Sequence, residues 1–410
     1  MSKRPKTILI ALGGSLLLAV FLYQIPAVKA AASWRTEKFI IYAKNVIDPP
    51  GPVPTALPVT PVPVTPTAAP TRTPPANTAQ PTIPPTSTST PLPAQVSLPS
   101  PPYEQQTPNN CGPATLSMAM GMYGWEGDQE QIAAQIKPVL QDRNVNPEEM
   151  AYYVRNFAGW LNIQYRVAGD LAILKKLLAA GYPVIVESVT DLDPNDALGP
   201  NDDLWAAHYL LLTGYDDTSQ TFTVQDSYHG ADMTISYEQL EAEWKPFNNL
   251  YMVLYFPQNE AELQSLLGPD WDPDANRQRA LDEAQAATVA DPGDAFAWFN
   301  LGSDLVYFER YSEAAQAYDR SREIGLPLRM FRYQFGPFWA YFHADRIEDL
   351  LVLTDYARGV TEMSEEAWLW YGWALYRQDD YNGAREAWNK ALSINTSSYA
   401  DAHNALQYVQ

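Results

Sequence analysis

The chain contains a single cysteine, Cys111, within YEQQTPNNCGPATLSMAMGMYGW (103–125), and four histidines. One cysteine makes neither an intrachain disulfide nor a Cys-rich metal site, which leaves a buried bystander, an intermolecular link or a reactive thiol. The local sequence favours the third. Asn109 and Asn110 are capping residues, and Pro113 is tolerated only in a helix's first turn. Leu116, Met120 and Tyr123 recur at helical spacing, with Ala114, Met118 and Ala119 on the same side. Cys111 is thereby expected at a helix N-terminus, where aligned peptide dipoles favour thiolate over thiol. A thiol nucleophile needs a base for its proton and a third group to orient that base. His208 enters the apolar run WAAHYLLLTGYDD (205–217), and Asp226, eighteen residues on, closes TFTVQD (221–226). A hairpin would bring the two together. Gln105 and Gln106 are side-chain amides able, with the Cys111 N–H, to stabilise an oxyanion. His229, in SYHGAD, reads as a turn residue, and Asp226 has the simpler alternative of capping the Ser227–Gly230 turn.

Mixed elements must position these groups. Helices are expected at 128–136, 147–157, 170–180 and 237–244, and strands at 181–188, 205–217, 221–226, 233–236 and 249–256. The order is helical first, sheet second. An acidic loop, TDLDPNDALGPNDDLW (190–205), precedes His208 and is placed to cover or gate the site. Asp191, Asp193 and Asn195 alternate like calcium ligands, but Asp196 stands where such a loop wants glycine, Pro194 interrupts it and no Glu holds the twelfth position. It reads as a solvated loop, and no metal or other cofactor is expected.

A Gln ahead of NNCGPATL, a His opening an apolar strand before TGYDD and an Asp closing the next strand resemble the papain-like cysteine peptidases that trim double-glycine leaders from bacteriocins. The likeness is closer to their stand-alone bacterial relatives, which have no transporter segments. It covers residues 103–256. The resemblance implies an α+β papain-like domain and a polypeptide substrate. In it Cys111 is the nucleophile, His208 the general base, Asp226 the orienting group and a Gln the oxyanion donor. Family spacing points to Gln105, whereas alignment through the Asn pair equally allows Gln106.

From Leu267 onward helices dominate. Leu301-Gly302 and Phe335-Gly336 lie 34 residues apart, and Tyr371-Gly372 follows 36 later. Ala314, Tyr318 and Ser321 match Ala384, Trp388 and Ala391 in the second helix of each unit. The period and the W-x-x-L-G pattern resemble tetratricopeptide repeats, which implies an all-α helical array and a protein partner on its surface. The unit at 328–362 is degenerate. Neither His343 nor His403 has a metal-ligand companion at useful spacing.

The N-terminus adds context. Lys3, Arg4 and Lys6 precede the apolar run Thr7–Tyr23, and residues 27–30 end like a signal-peptidase site. Residues 1–30 are therefore expected to be a signal peptide or a signal-anchor contacting the membrane, with the rest of the chain extracytoplasmic at a bacterial cell surface or secreted. Of 35 prolines, 19 lie between Pro49 and Pro102. Residues 31–102 are thus expected to be a short amphipathic piece followed by a disordered Pro/Thr-rich stalk. The peptidase-like domain is expected at 103–258 and the repeats at 265–410. Residues 103–410 carry 19 Lys/Arg against 46 Asp/Glu, a balance that excludes binding to a phosphate backbone, so nucleic acid is not a partner. The reading is an extracytoplasmic cysteine peptidase. Its alternatives are a silent peptide-binding adaptor and an amidase or transferase acting on cell-wall peptides.

Overall fold

The computed structural model describes Phe21, Tyr23 and residues 25–58, 91–397 and 400–409. The expected export segment, apart from its last residues, and residues 59–90 of the expected stalk lie outside the described residues. No helix among the described residues is long and apolar enough to cross a membrane.

The first element is helix α1 (Pro26–Ile47), which opens on proline. Residues 49–58 follow, and they do not stand free. The repeats hold them by their carbonyls: Arg322 Nε donates to Pro54 O (2.7 Å) and the Tyr356 hydroxyl to Gly51 O (3.3 Å). Leu57 N–H donates to Asp349 (2.9 Å), and Val53 is buried in the helical core. A proline-rich strand has few N–H donors, so its acceptors are what a partner can grip.

The peptidase-like part runs β1 (Gln95–Ser97), α2 (Cys111–Gly121), α3 (Gln129–Ile136), α4 (Pro147–Phe157), β2 (Asn162–Arg166), α5 (Leu171–Ala179), β3 (Val184–Asp191), β4 (Trp205–Asp216), β5 (Thr221–Asp226), β6 (Gly230–Ser236), α6 (Tyr237–Trp244), β7 (Tyr251–Tyr255) and α7 (Glu260–Leu267). The strands form one antiparallel sheet in the order β2-β7-β3-β4-β5-β6. β1 pairs with β4 at Gly214–Asp216, on the side of β4 that β3 takes up only from Val184, opposite Leu212. There a Cβ on Gly214 would stand 2.6 Å from Val96 O, so only glycine admits β1. Ordered chain thus begins before Tyr103, inside the stretch expected to be stalk. Two strands, β1 and β2, also break the helical-first order.

The sheet is covered on both faces, which is why β4 is apolar almost throughout. Ile185, Leu211, Met252 and Leu254 pack with Leu116, Ile132, Met150 and Val154 from α2–α4. Their sheet neighbours Val184, Leu210, Leu212 and Val253 pack with Leu174, Leu177, Leu240 and Trp244 on the opposite side.

The C-terminal array comprises α8 (Pro273–Ala290), α9 (Ala295–Tyr307), α10 (Tyr311–Ile324), α11 (Gly336–His343), α12 (Ile347–Val360), α13 (Glu365–Arg377) and α14 (Tyr381–Ile394). A Cβ on Gly302 of α9 would lie 2.7 Å from the Tyr318 ring of α10, and one on Gly372 of α13 would lie 2.3 Å from Trp388 of α14. The repeat pattern therefore records one contact made twice, a glycine on one helix seating an aromatic ring from its pair. The degenerate unit shows as the shortened helix α11, only 8 residues long. The array packs on the peptidase-like part through Asn248 to Asp304 (2.8 Å), Asn300 to Lys245 O (2.9 Å) and Asn395 to Ile136 O (3.1 Å).

Candidate active site

Cys111 is the first residue of α2, as its sequence context predicts. The Thr115 hydroxyl, one turn on, donates to Tyr209 O of β4 (3.1 Å) and fixes that helix end against the sheet beside His208. Asn110 occupies the cap position without capping; its side-chain amide instead donates to Gln129 (2.9 Å). Gln129 is 4% exposed and ties the loop before Cys111 together. Its Oε1 also accepts from Thr107 N–H (2.7 Å), and its Nε2 donates to Gln105 O (2.8 Å). Sequence reasoning missed this residue. Its one signal was a polar side chain just after the Asp128 cap, on the helix face that must be buried.

Cys111 and His208 line the same cleft, and each acts on the ionisation of the other. His208 Nε2 meets Asp226 Oδ1 at 2.7 Å, so Nδ1 is the nitrogen left for the sulfur. His208 and Asp226 are 3% and 8% exposed, which shields their pairing from water, while Cys111 is half-buried and opens on a cleft. Asp226 also serves as the turn cap that its alternative reading describes. Oδ1 accepts from the N–H groups of Tyr228 (2.8 Å) and His229 (3.0 Å), and Oδ2 meets His229 Nδ1 at 2.8 Å. His229 is thus a turn residue and a second imidazole on the same carboxylate, with its side chain exposed.

Burial alone would push the Cys111 thiol up. The hydrogen bond and charge of His208, helped by the Tyr209 and Gly112 backbones, reverse this and hold it below the ordinary thiol range. Burial alone would likewise depress the His208 imidazole, but its bonds to Asp226 and Cys111 raise it to about 9. Burial opposes ionisation of Asp226 too, yet the two imidazoles and the turn N–H groups hold it well below the usual carboxylate range. The combination favours a thiolate–imidazolium pair over a neutral one.

Both glutamines line the cleft. Gln105 is exposed, and no hydrogen bond among the described residues orients its side-chain amide. Gln106 is half-buried: its Oε1 accepts from the Ser227 hydroxyl (3.0 Å) and its N–H donates to Ser227 O (2.8 Å). Ser227 adjoins Asp226, so the same turn orients both the carboxylate and this amide, leaving Gln106 Nε2 free to donate. The cleft, of about 360 Å³, is walled by the acidic loop, by Trp34, Lys38 and Ile41 of α1, and by Arg329, Arg332 and Tyr333 of the repeat region. Among the described residues no cluster of three or more His, Cys, Asp or Glu could hold a metal ion.

Residues 97–252 match the model of the Peptidase_C39 like family, and residues 365–398 match that of the tetratricopeptide repeat. A C39-like domain joined to tetratricopeptide repeats is therefore what the sequence carries. No curated protein matches the chain. Among solved structures, a protein described as a C39-like peptidase from Bacillus anthracis is 17% identical at a TM-score of 0.31, covering 39% of this chain and 97% of its own. The peptidase domain of ComA, a bifunctional ABC transporter of Streptococcus, is 16% identical at 0.28, over 38% and 97% of the two chains. Xylellain, a cysteine protease from Xylella fastidiosa, is 17% identical at 0.30, over 40% and 87%.

Proposed function

We propose that this C39-like chain is an extracytoplasmic cysteine peptidase that hydrolyses peptide bonds in a polypeptide, with its repeats binding that substrate or a protein partner. The observation that carries the reading is the buried His208–Asp226 pair, 2.7 Å apart, on the same cleft as Cys111. In the reaction, the thiolate adds to the scissile carbonyl carbon, forming a C–S bond and placing the carbonyl electron pair on oxygen. The oxyanion accepts from the Cys111 N–H and from Gln106 Nε2. Collapse breaks the C–N bond, and the His208 imidazolium gives its proton to the departing amine. Water then attacks the thioester, His208 taking its proton, and the C–S bond breaks to release the acid and restore the thiolate. The basic flank and apolar run at the N-terminus support export.

The experiment is digestion of a proteome-derived peptide library by the wild-type chain and by Cys111→Ala, read by mass spectrometry. New termini in the wild type alone support the peptidase. A binding-only reading draws on the presence of α1 side chains in the cleft. It gains if the library is retained but uncut and if Cys111 alkylates with iodoacetamide only near an ordinary thiol pKa of about 8.5, regardless of His208→Ala.

A further inference from the structure

Four cations line the cleft beside Cys111: Lys38, Arg143, Arg329 and Arg332. Two are neutralised by the acidic loop. Lys38 pairs with Asp196, and Arg329 forms a fully buried two-pronged pair with Asp202. The other two form no ion pair with the loop among the described residues, although the charge of Asp202 reaches Arg332. Arg332 has no carboxylate partner among the described residues; its Nε donates to Thr361 Oγ1 (3.0 Å) and its Nη1 makes a long contact to the Tyr333 hydroxyl (3.5 Å). Arg143 donates to Asn109 Oδ1 (3.0 Å) and pairs with Glu37, a residue of α1. Both arginines also line a second cavity that runs along α1, and Glu37 lies in its wall. Burial, with the charge of Glu362, raises the Glu37 carboxyl, while the charges of Arg143 and, more weakly, Arg332 pull against them, so both guanidinium groups act on it. Its Oε2 is buried without a hydrogen-bond partner.

We propose that Arg143 and Arg332 form a carboxylate subsite of the cleft, which Glu37 of α1 occupies here and which in turnover takes a carboxylate of the peptide substrate. Rigid, planar guanidinium donors suit carboxylate, and in a peptide that group comes from an Asp or Glu side chain or from a free C-terminus. The repeat region thereby contributes a specificity residue to the peptidase cleft. This inference rests on the peptidase reading but is tested separately from it.

The test uses the full-length protein in detergent and two reagents for Cys111 of similar size, anionic iodoacetate and neutral iodoacetamide. Their rate ratio cancels changes in thiolate content. Arg332→Gln is expected to lower the iodoacetate preference by roughly 3- to 10-fold, Glu37→Gln to raise it, and Arg332→Lys to retain most of it, all more strongly at low salt. A ratio unchanged across these variants overturns the proposal. Failure of the peptidase reading looks different, namely iodoacetamide kinetics alone following an ordinary thiol. Protection of Cys111 from iodoacetamide by matched peptides separates the two sources. Free acids protecting better than their amides identify a C-terminus, and Glu or Asp peptides protecting better than Gln or Asn peptides identify a side chain. Protection no better than by the neutral isosteres overturns the subsite.

Discussion

Asp226 joins two roles that the sequence presents as alternatives. One oxygen orients His208 and receives two turn N–H groups, while the other holds His229. Cys111, His208 and Asp226 stand out in the sequence because Cys111 begins α2, Asp226 ends β5 and His208 lies near the start of the apolar strand β4. The choice between Gln105 and Gln106 was not legible there, because it depends on which amide a distant serine, Ser227, fixes. Three expectations follow. Activity should rise as the Cys111 thiol ionises below its ordinary range and fall as His208 loses its proton near about 9, since only the imidazolium can protonate the leaving amine. Asp226→Asn removes the opposing charge and should move the alkaline limb down by about 1–3 pH units, measurable in a kcat/KM profile. Gln106→Ala should cost on the order of 10²–10³ in kcat, as loss of an oxyanion donor does, and Gln105→Ala far less. Equal losses in steady-state assays would return the role to Gln105 or divide it.

At the scale of elements, the repeat was readable because its glycine-under-ring contact recurs at fixed offsets. Gly302 seats Tyr318 and Gly372 seats Trp388. Gly372→Ala should overpack that contact and destabilise the chain by about 1–3 kcal/mol in denaturant unfolding, whereas Ala at Gly359, where a Cβ meets nothing within 4 Å, should not. The two strands that sequence reading missed are short and carry weak alternation. β2 (NIQYR) mixes Gln and Arg into its run, and β1 offers only Val96 between Gln95 and Ser97, among prolines. Each exists because a neighbour leaves an edge to fill, and single-chain periodicity does not record that.

At the scale of the molecule, the repeats use part of their surface on their own chain. Glu366 of α13 accepts from Asn146 (2.9 Å), and Asn395 reaches Glu149 of α4 (3.4 Å). Burial first, then mutual repulsion with Glu366 and Asp142, raises Glu149 well above the carboxylate range; burial raises Glu366 and Asp142 as well. A carboxyl whose folded pKa is raised binds more protons folded than unfolded. Its contribution is present at low pH and lost as pH rises through the folded value. Tm should therefore fall as pH rises from the ordinary carboxylate range through about 7, the folded value of Asp142, and Glu366→Gln should flatten the dependence, as followed by calorimetry. The sequence announced an acidic body but not this cluster, because its members come from two regions that each look merely solvated.

The Pro-rich segment has docked chain on both sides: residues 49–58 lie on the repeats and Gln95–Ser97 lie on β4. The body therefore holds the chain on either side of residues 59–90. If the Thr7–Tyr23 run lodges in a bilayer, the element that follows it is α1, whose Trp34, Lys38 and Ile41 line the cleft. The 22 residues of α1 span about 33 Å. The proposed peptidase would then graze close to the lipid surface, meeting chains as they emerge from that same membrane before it meets anything free in the surroundings.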